Sequence, residues 1–173
     1  MTDELLVVRC QLGERDAFAE LVRAWHDRVW AYTTRMLGSA DAADVAQEIW
    51  LAVFRGLPKL RNPDRFTPWL YAIARRAIIN RLRTEYARAE ATGEPEPAQP
   101  DTADAVADRT DLLNGLAGLP APEREILILF YLDDLPADAC AEICAIPVGT
   151  VKSRLHRGRR MLRDELQRKG YQR

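Results

Sequence analysis

From Phe18 onward the apolar residues Phe18, Leu21, Val22, Trp25, Val29, Tyr32 and Met36 recur at steps of three and four. That spacing lines one face of a long α-helix. Gly38 closes it, and Ser39-Ala40-Asp41 restarts the chain with Asp41 placed to cap a second helix. There Val45, Ile49, Ala52 and Val53 form the buried stripe, while Asp44, Gln47, Glu48 and Leu51 lie off it on a polar, acidic outer face. Residues 59–65 (KLRNPDR) read as a loop, because Asn62-Pro63-Asp64 is strong turn chemistry. A third helix follows over roughly 68–88, burying Leu70, Ile73, Ala74, Ala77, Ile78 and Leu82. Its other face carries Trp69, Arg76, Asn80 and Arg83.

The C-terminal third has a different rhythm. Residues 136–144 predict a short helix and Ala145-Ile146 a two-residue turn. Pro147 biases Ile146 away from helical geometry and itself suits a first helical position. Val148, Val151, Leu155, Leu162 and Leu166 then form an apolar stripe, leaving Lys152, Ser153, His156, Arg157, Arg159 and Arg160 exposed. Helix, tight turn and basic helix make a helix-turn-helix pattern, whose second helix enters a DNA major groove. Between the two regions, residues 91–104 (ATGEPEPAQPDTAD) hold three prolines and almost no large apolar residue. Such a segment buries too little surface to offset its ordering entropy and reads as a flexible linker. The pattern therefore gives an all-α chain of two small helical domains, over 1–88 and 109–173, joined by an acidic, Pro-rich linker at 89–108.

Net charge alone hides the basic surfaces, since the whole chain carries −1. Residues 59–88 hold eight Lys/Arg and two Asp/Glu, and residues 151–173 hold nine and two. The intervening 89–125 hold two Lys/Arg against nine Asp/Glu. Two basic blocks flank an acidic connector, and each suits phosphate binding through counterion release. Trp69 beside basic and amide groups, next to a basic loop, fits unstacked single-stranded bases better than a duplex groove. No apolar run approaches the ~18 residues that span a bilayer. The acidic, polar N-terminus lacks a signal-peptide core, so a cytoplasmic protein is expected. Cys140 and Cys144 fall where a short helix needs apolar packing, and Cys10 is isolated, so none of the three calls for a metal.

Four segments, DAADVAQEIWLAVFRGLPKLR, FTPWLYAIARRAIINRLR, LPAPEREILILFYLDDL and IPVGTVKSRLHRGRRML, together resemble the extracytoplasmic-function sigma factors. These are the minimal, two-domain members of the bacterial primary sigma family. The resemblance spans nearly the whole chain, with the segments in family order and spacing. It implies that Asp44, Gln47, Glu48 and Leu51 dock on the β′ clamp coiled coil of core RNA polymerase, with the β flap as a further contact. It also implies that Lys59, Leu60, Arg61, Asn62 and Arg65 belong to a loop capturing a flipped base of the −10 element. By the same resemblance Trp69, Arg76 and Asn80 face the opened strand, while Arg75, Arg81 and Arg83 lie near phosphates. In the helix-turn-helix, Lys152, Ser153, His156 and Arg157 are implied to approach −35 base edges, and Thr150, Arg154 and Arg159 phosphates. Promoter DNA, core polymerase and an anti-sigma protein are the implied partners, with a free monomer and no cofactor, metal or catalytic residue.

The chain departs from the family pattern at several points. Arg76 replaces the usual Asn after the IAR triplet, and Leu60 stands where an aromatic is common. PADAC replaces the more usual bulky, acidic start of the first helix of the motif. Ala145 occupies a turn position often held by Gly, where a positive backbone angle is uncomfortable for alanine. Two other classes fit the sequence less well. A stand-alone duplex-binding regulator would leave the acidic face at 44–51 and the loop at 59–65 without a role. An enzyme lacks support, because the chain has no Gly-rich phosphate loop or ligand cluster, and its two histidines are far apart. Asp133-Asp134 is expected to be a solvated helix end.

Overall fold

The computed structural model describes the backbone of residues 2–92 and 107–169 and the side chains of 2–91 and 112–169. The described residues are helical, without a strand. Helix α1 (Asp3–Gln11), which the periodicity did not single out, is capped by Thr2, whose Oγ1 accepts from the Leu5 amide at 3.4 Å. Helix α2 (Arg15–Leu37) buries Leu21, Trp25, Val29, Tyr32 and Met36, while Phe18 and Val22 sit half-buried at its edge. Gly38, at φ +86°, supplies the turn into α3 (Ser39–Gly56). Asp41 does not cap α3; it lies in the first turn and pairs with Arg81. On α3 Val45, Ile49 and Val53 are buried, but Ala52 is exposed and Ala42 and Ala46 complete the stripe instead.

Two short 3-10 turns, Leu57–Lys59 and Pro63–Arg65, bracket the loop and lead into α4 (Phe66–Thr92), which starts and ends beyond the expected 68–88. Leu70, Ala74 and Ile78 are buried, and Ile73, Ala77 and Leu82 are half-buried. Tyr71, absent from the expected stripe, is 1% exposed. Trp25 packs edge-on against Phe66 and Tyr71, with ring centroids at 5.7 and 6.4 Å, and its Nε1 donates to Asp3. Residues 93–106, most of the expected linker, lie outside the described residues.

The second unit comprises α5 (Ala107–Ala117), α6 (Ala121–Leu127), a π turn at Ile128–Leu132, α7 (Ala137–Cys144) and α8 (Val148–Arg168). Val151 and Leu155 are buried on α8, with Val148, Leu162 and Leu166 half-buried, as the stripe requires. Cys140 and Cys144 are buried, and burial pushes their thiols up to about 11 and about 12, so both are protonated packing groups at neutral pH. Ala145 does take the left-handed conformation at φ +52°, ψ +47°. An L-residue there costs roughly 1 kcal/mol that glycine avoids. Ala145→Gly should therefore raise the stability of the chain by up to about 1 kcal/mol, read as a higher midpoint in thermal melts.

The two units do not stand apart. Helix α7 packs along α4, and α6 with the π turn lies against the C-terminal half of α2. The contact is built on charge inside an apolar setting, because Arg124 and Glu125 are both buried and both reach the first unit. Arg124 donates to the carbonyls of Met36 at 3.2 Å and Leu119 at 3.0 Å. Met36 is in the last turn of α2, where carbonyls lack helical partners and carry the negative end of the dipole, so Arg124 caps α2 from across the interface. Glu125 accepts from the Tyr32 hydroxyl at 3.0 Å and pairs with Arg75 Nε at 3.0 Å. Asp133 pairs with Arg35 at 3.4 Å, its side chain only 3% exposed. The expected solvated end is thus half wrong: Asp134 is exposed, but the π turn carries Asp133 into the interface.

Candidate nucleic-acid and polymerase interface

Asp44, Gln47, Glu48 and Leu51 share an exposed face of α3. The spacing 47, 51, 54 extends that face to Phe54, which is 60% exposed and stacks edge-on against Phe18 at 5.1 Å. The register 47, 51, 54 is itself visible in the sequence. Carboxylates around an apolar patch of Leu51 and Phe54 suit a basic, partly apolar helical partner.

Between α3 and α4 runs a groove of about 530 Å³ lined by Glu48, Lys59, Trp69, Arg76 and Asn80 among others. Gly56 leaves room for Trp69 in its wall, since a Cβ at Gly56 would meet the indole at 2.9 Å. Trp69 is half-buried, one edge in the core against Phe66 and the other facing the groove. The groove therefore combines an aromatic surface with guanidinium, ammonium and amide donors, the composition that holds an unstacked base. Lys59, Arg61, Asn62 and Arg65 are exposed on the adjoining loop, and Leu60 is half-buried. Gln11 of α1 fixes that loop by donating to the carbonyls of Leu57 and Leu60 at 3.1 and 2.7 Å.

The arginines of α4 divide sharply. Arg76 and Arg83 are exposed, on the face that also carries Trp69 and Asn80. Arg81 is held by Asp41 and Glu85. Arg75 is turned to the other unit; burial works most strongly against its charge, but Glu125 together with the Cys144 and Tyr32 groups outweighs it and leaves the guanidinium pKa raised. In this packed form Arg75 does not share the Arg76 face, and Arg65 is engaged by Glu142 of α7. The spacing of basic residues along a helix could not show which of them face carboxylates on distant segments.

On α8 the side chains of Lys152, Ser153, His156, Arg157 and Arg159 are exposed, and those of Thr150 and Arg154 are half-exposed. Ser153 Oγ donates to the Thr150 carbonyl, Arg159 donates to the Tyr131 hydroxyl at 2.7 Å, and Arg157 donates to Glu123. The helix thus presents a row of cations and small donors on one face, the kind of chemistry that reads base edges in a major groove. Among the described residues, no group of three or more His, Cys, Asp or Glu could hold a metal ion, and no helix is long and apolar enough to cross a membrane.

A two-helix-domain scaffold with an acidic outer helix, an aromatic–basic groove and a helix-turn-helix defines a class of transcription initiation factor. Residues 21–88 match the model of Sigma-70 region 2 and residues 109–162 that of Sigma-70 region 4. The chain belongs to the ECF RNA polymerase sigma factors. It is 32% identical over 170 residues to the ECF RNA polymerase sigma factor SigW of Bacillus subtilis, covering 89% of this chain and 91% of that one. It is 29% identical over 182 residues to the ECF RNA polymerase sigma-E factor of Escherichia coli K12, covering 96% and 95%. Among solved structures it resembles CnrH, determined in complex with the cytosolic domain of CnrY, with a TM-score of 0.70 and 25% identity over 95% of this chain and 97% of that one. The sigma factor RpoE of Bartonella quintana, solved with the anti-sigma factor NepR, shares the fold with a TM-score of 0.75 at 21% identity, over 87% and 96%.

Proposed function

We propose that this chain is a dissociable specificity subunit of bacterial RNA polymerase, which it directs to promoters through the two basic surfaces described above. The observation that carries the reading is the co-location of three features on one scaffold: the exposed Asp44–Gln47–Leu51–Phe54 face, the groove of Trp69, Arg76 and Asn80, and the cationic α8. The α3 face docks on the clamp of core polymerase. The groove and the 59–65 loop take unstacked bases of the −10 element, and α8 reads the −35 duplex. The subunit contributes no catalytic group of its own; capture of extruded bases, without a bound cofactor, favours strand opening. An anti-sigma protein holds it inactive in the cytoplasm, a reading supported by the solved complex of the similar CnrH with the cytosolic domain of CnrY.

Geometry adds one requirement. The two elements lie about 25 base pairs apart, on the order of 80 Å of duplex. A packed chain of this length has a radius of gyration of about 16 Å. With α7 seated on α4, the two readers cannot reach both elements at once. The units must part when polymerase is bound, and Arg65 and Arg75 are released in the same step. Run-off transcription with purified core polymerase on a promoter library tests the reading. Specific transcripts should appear with the chain and fall at least tenfold on combined Asp44, Gln47 and Glu48 substitution by alanine. Duplex binding without any polymerase-dependent transcript would point to a stand-alone regulator instead.

A further inference from the structure

Arg157 and Arg159 stand two residues apart on α8, yet they are held in different ways. Arg159 meets an exposed phenol at the surface. Arg157 meets Glu123, whose side chain is 4% exposed while that of Arg157 remains 56% exposed. The carboxylate lies inside the protein and the guanidinium sits at its rim. Gly158 makes the meeting possible. A Cβ at Gly158 would sit 3.1 Å from the Leu127 side chain and 3.5 Å from the Glu123 carbonyl. Because Gly158 has none, α6 and α8 approach closely enough to bring the neighbouring residue, Arg157, over Glu123.

A guanidinium offers five donors in a rigid planar fork, and a carboxylate fixes the plane of that fork. Glu123 takes one hydrogen of the terminal nitrogen Nη2, and no other carboxylate among the described residues pairs with this guanidinium, so the edge formed by Nη1 and the second Nη2 hydrogen stays free. Lys152 and His156, exposed on the same face, have no carboxylate partner among the described residues. We propose that Glu123 is a specificity-determining positioning residue. It holds Arg157 so that the free edge of the guanidinium makes a bidentate contact with O6 and N7 of one guanine in the −35 duplex. This rests on the reading of α8 as the −35 helix. Arg157 then reads a base from a fixed platform, whereas unsupported cations on the same helix supply affinity without much selectivity.

A role in stability alone and a role in positioning move different quantities. Loss of the Glu123 charge adds net positive charge to the DNA-facing unit, so affinity for random duplex rises or holds. Loss of positioning lowers discrimination at one base pair. The test uses holoenzyme reconstituted from core polymerase and the full chain, carrying wild type, Glu123→Gln, Glu123→Asp, Arg157→Ala or the Gln/Ala double substitution. Initial transcription rates are measured on all single base-pair substitutions of the −35 element. Binding of random-sequence duplex by the free chains and their melting temperatures are recorded alongside. The wild type should prefer one G·C pair, Arg157→Ala should lose that preference, and Glu123→Gln should lose about tenfold of it at the same pair. Glu123→Asp keeps the charge but withdraws the carboxylate by one methylene, and should lose discrimination likewise. The double substitution should be no worse than Arg157→Ala.

Unchanged discrimination in a folded Glu123→Gln or Glu123→Asp chain would overturn the proposal while leaving the −35 reading intact. So would an equal loss of rate on every promoter, or an Arg157→Ala chain with wild-type preference. A wild-type chain indifferent to all −35 substitutions would remove the −35 reading itself, and the proposal with it.

Discussion

Glu125→Ala should weaken the docking of the two helical units by about 3 kcal/mol and let them separate in the free chain. The figure is the low end for breaking a buried ion pair by removing one partner. The low end applies because Arg75 keeps 28% of its side-chain exposure and regains water on opening, whereas Glu125 is only 3% exposed. The loss is double, since Tyr32 is left with its hydroxyl buried and without the acceptor it meets at 3.0 Å. Small-angle scattering should register a radius of gyration well above the ~16 Å of a packed chain. Far-UV circular dichroism should stay close to wild type, because Glu125 points out of its own unit. Arg75→Ala approaches the same contact from α4 and should open the chain without touching the helix-turn-helix unit. If both variants scatter like the wild type, the Glu125 contacts do not hold the units together.

That contact is where reading the sequence fell short, and the reason is physical. The three-four periodicity located α2, α3, α4 and α8 because each buries one apolar stripe, and stripes are written locally. Helix α1 escaped because its buried residues are just Leu6 and Val7, with Leu5, Val8 and Leu12 exposed, which gives no clean stripe. The run 123–125 gives no such sign, because consecutive charges usually mark a solvated face. Here each charge is matched by a partner far along the chain: Arg157, the end of α2, and Tyr32 with Arg75. Charges set directly before ILILF were the available signal, since an apolar run of that kind is buried and carries its neighbours with it. The face of Trp69, Arg76 and Asn80 was legible because it is the complement of a stripe. Arg75 and Arg65 were placed beside it because their carboxylate partners are remote in sequence. The strain at Ala145 was foreseen from turn chemistry, which needs no tertiary knowledge.

Acidification should tighten the docked form, and Asp133 is the group responsible. Its carboxyl is pushed up to about 6 by burial, with the positive charges of Arg35 and Arg28 and the Tyr71 hydroxyl offsetting part of the effect. Those groups come from α2 and α4, so the titration belongs to the interface. In the opened or unfolded chain the same carboxyl titrates near 3.9. A folded value above the unfolded one means that the packed state binds the extra proton. The stabilisation is therefore complete below about pH 4 and is lost as the pH rises through about 6. Two pH units correspond to about 3 kcal/mol for a group this buried, as an order of magnitude. Between pH 7.5 and 5.5 the protein should become more resistant to thermal or urea unfolding, and its radius of gyration should not increase. Asp133→Asn cannot titrate, so its stability should be flatter across that window, with Tyr71 and Arg35 still in place. A wild-type stability that falls steadily from pH 7.5 to 5.5, with Asp133→Asn falling in parallel, would show that Asp133 is solvated and ionised in the free chain. The packed interface would then be open in solution at neutral pH, the state in which the two readers could reach both promoter elements.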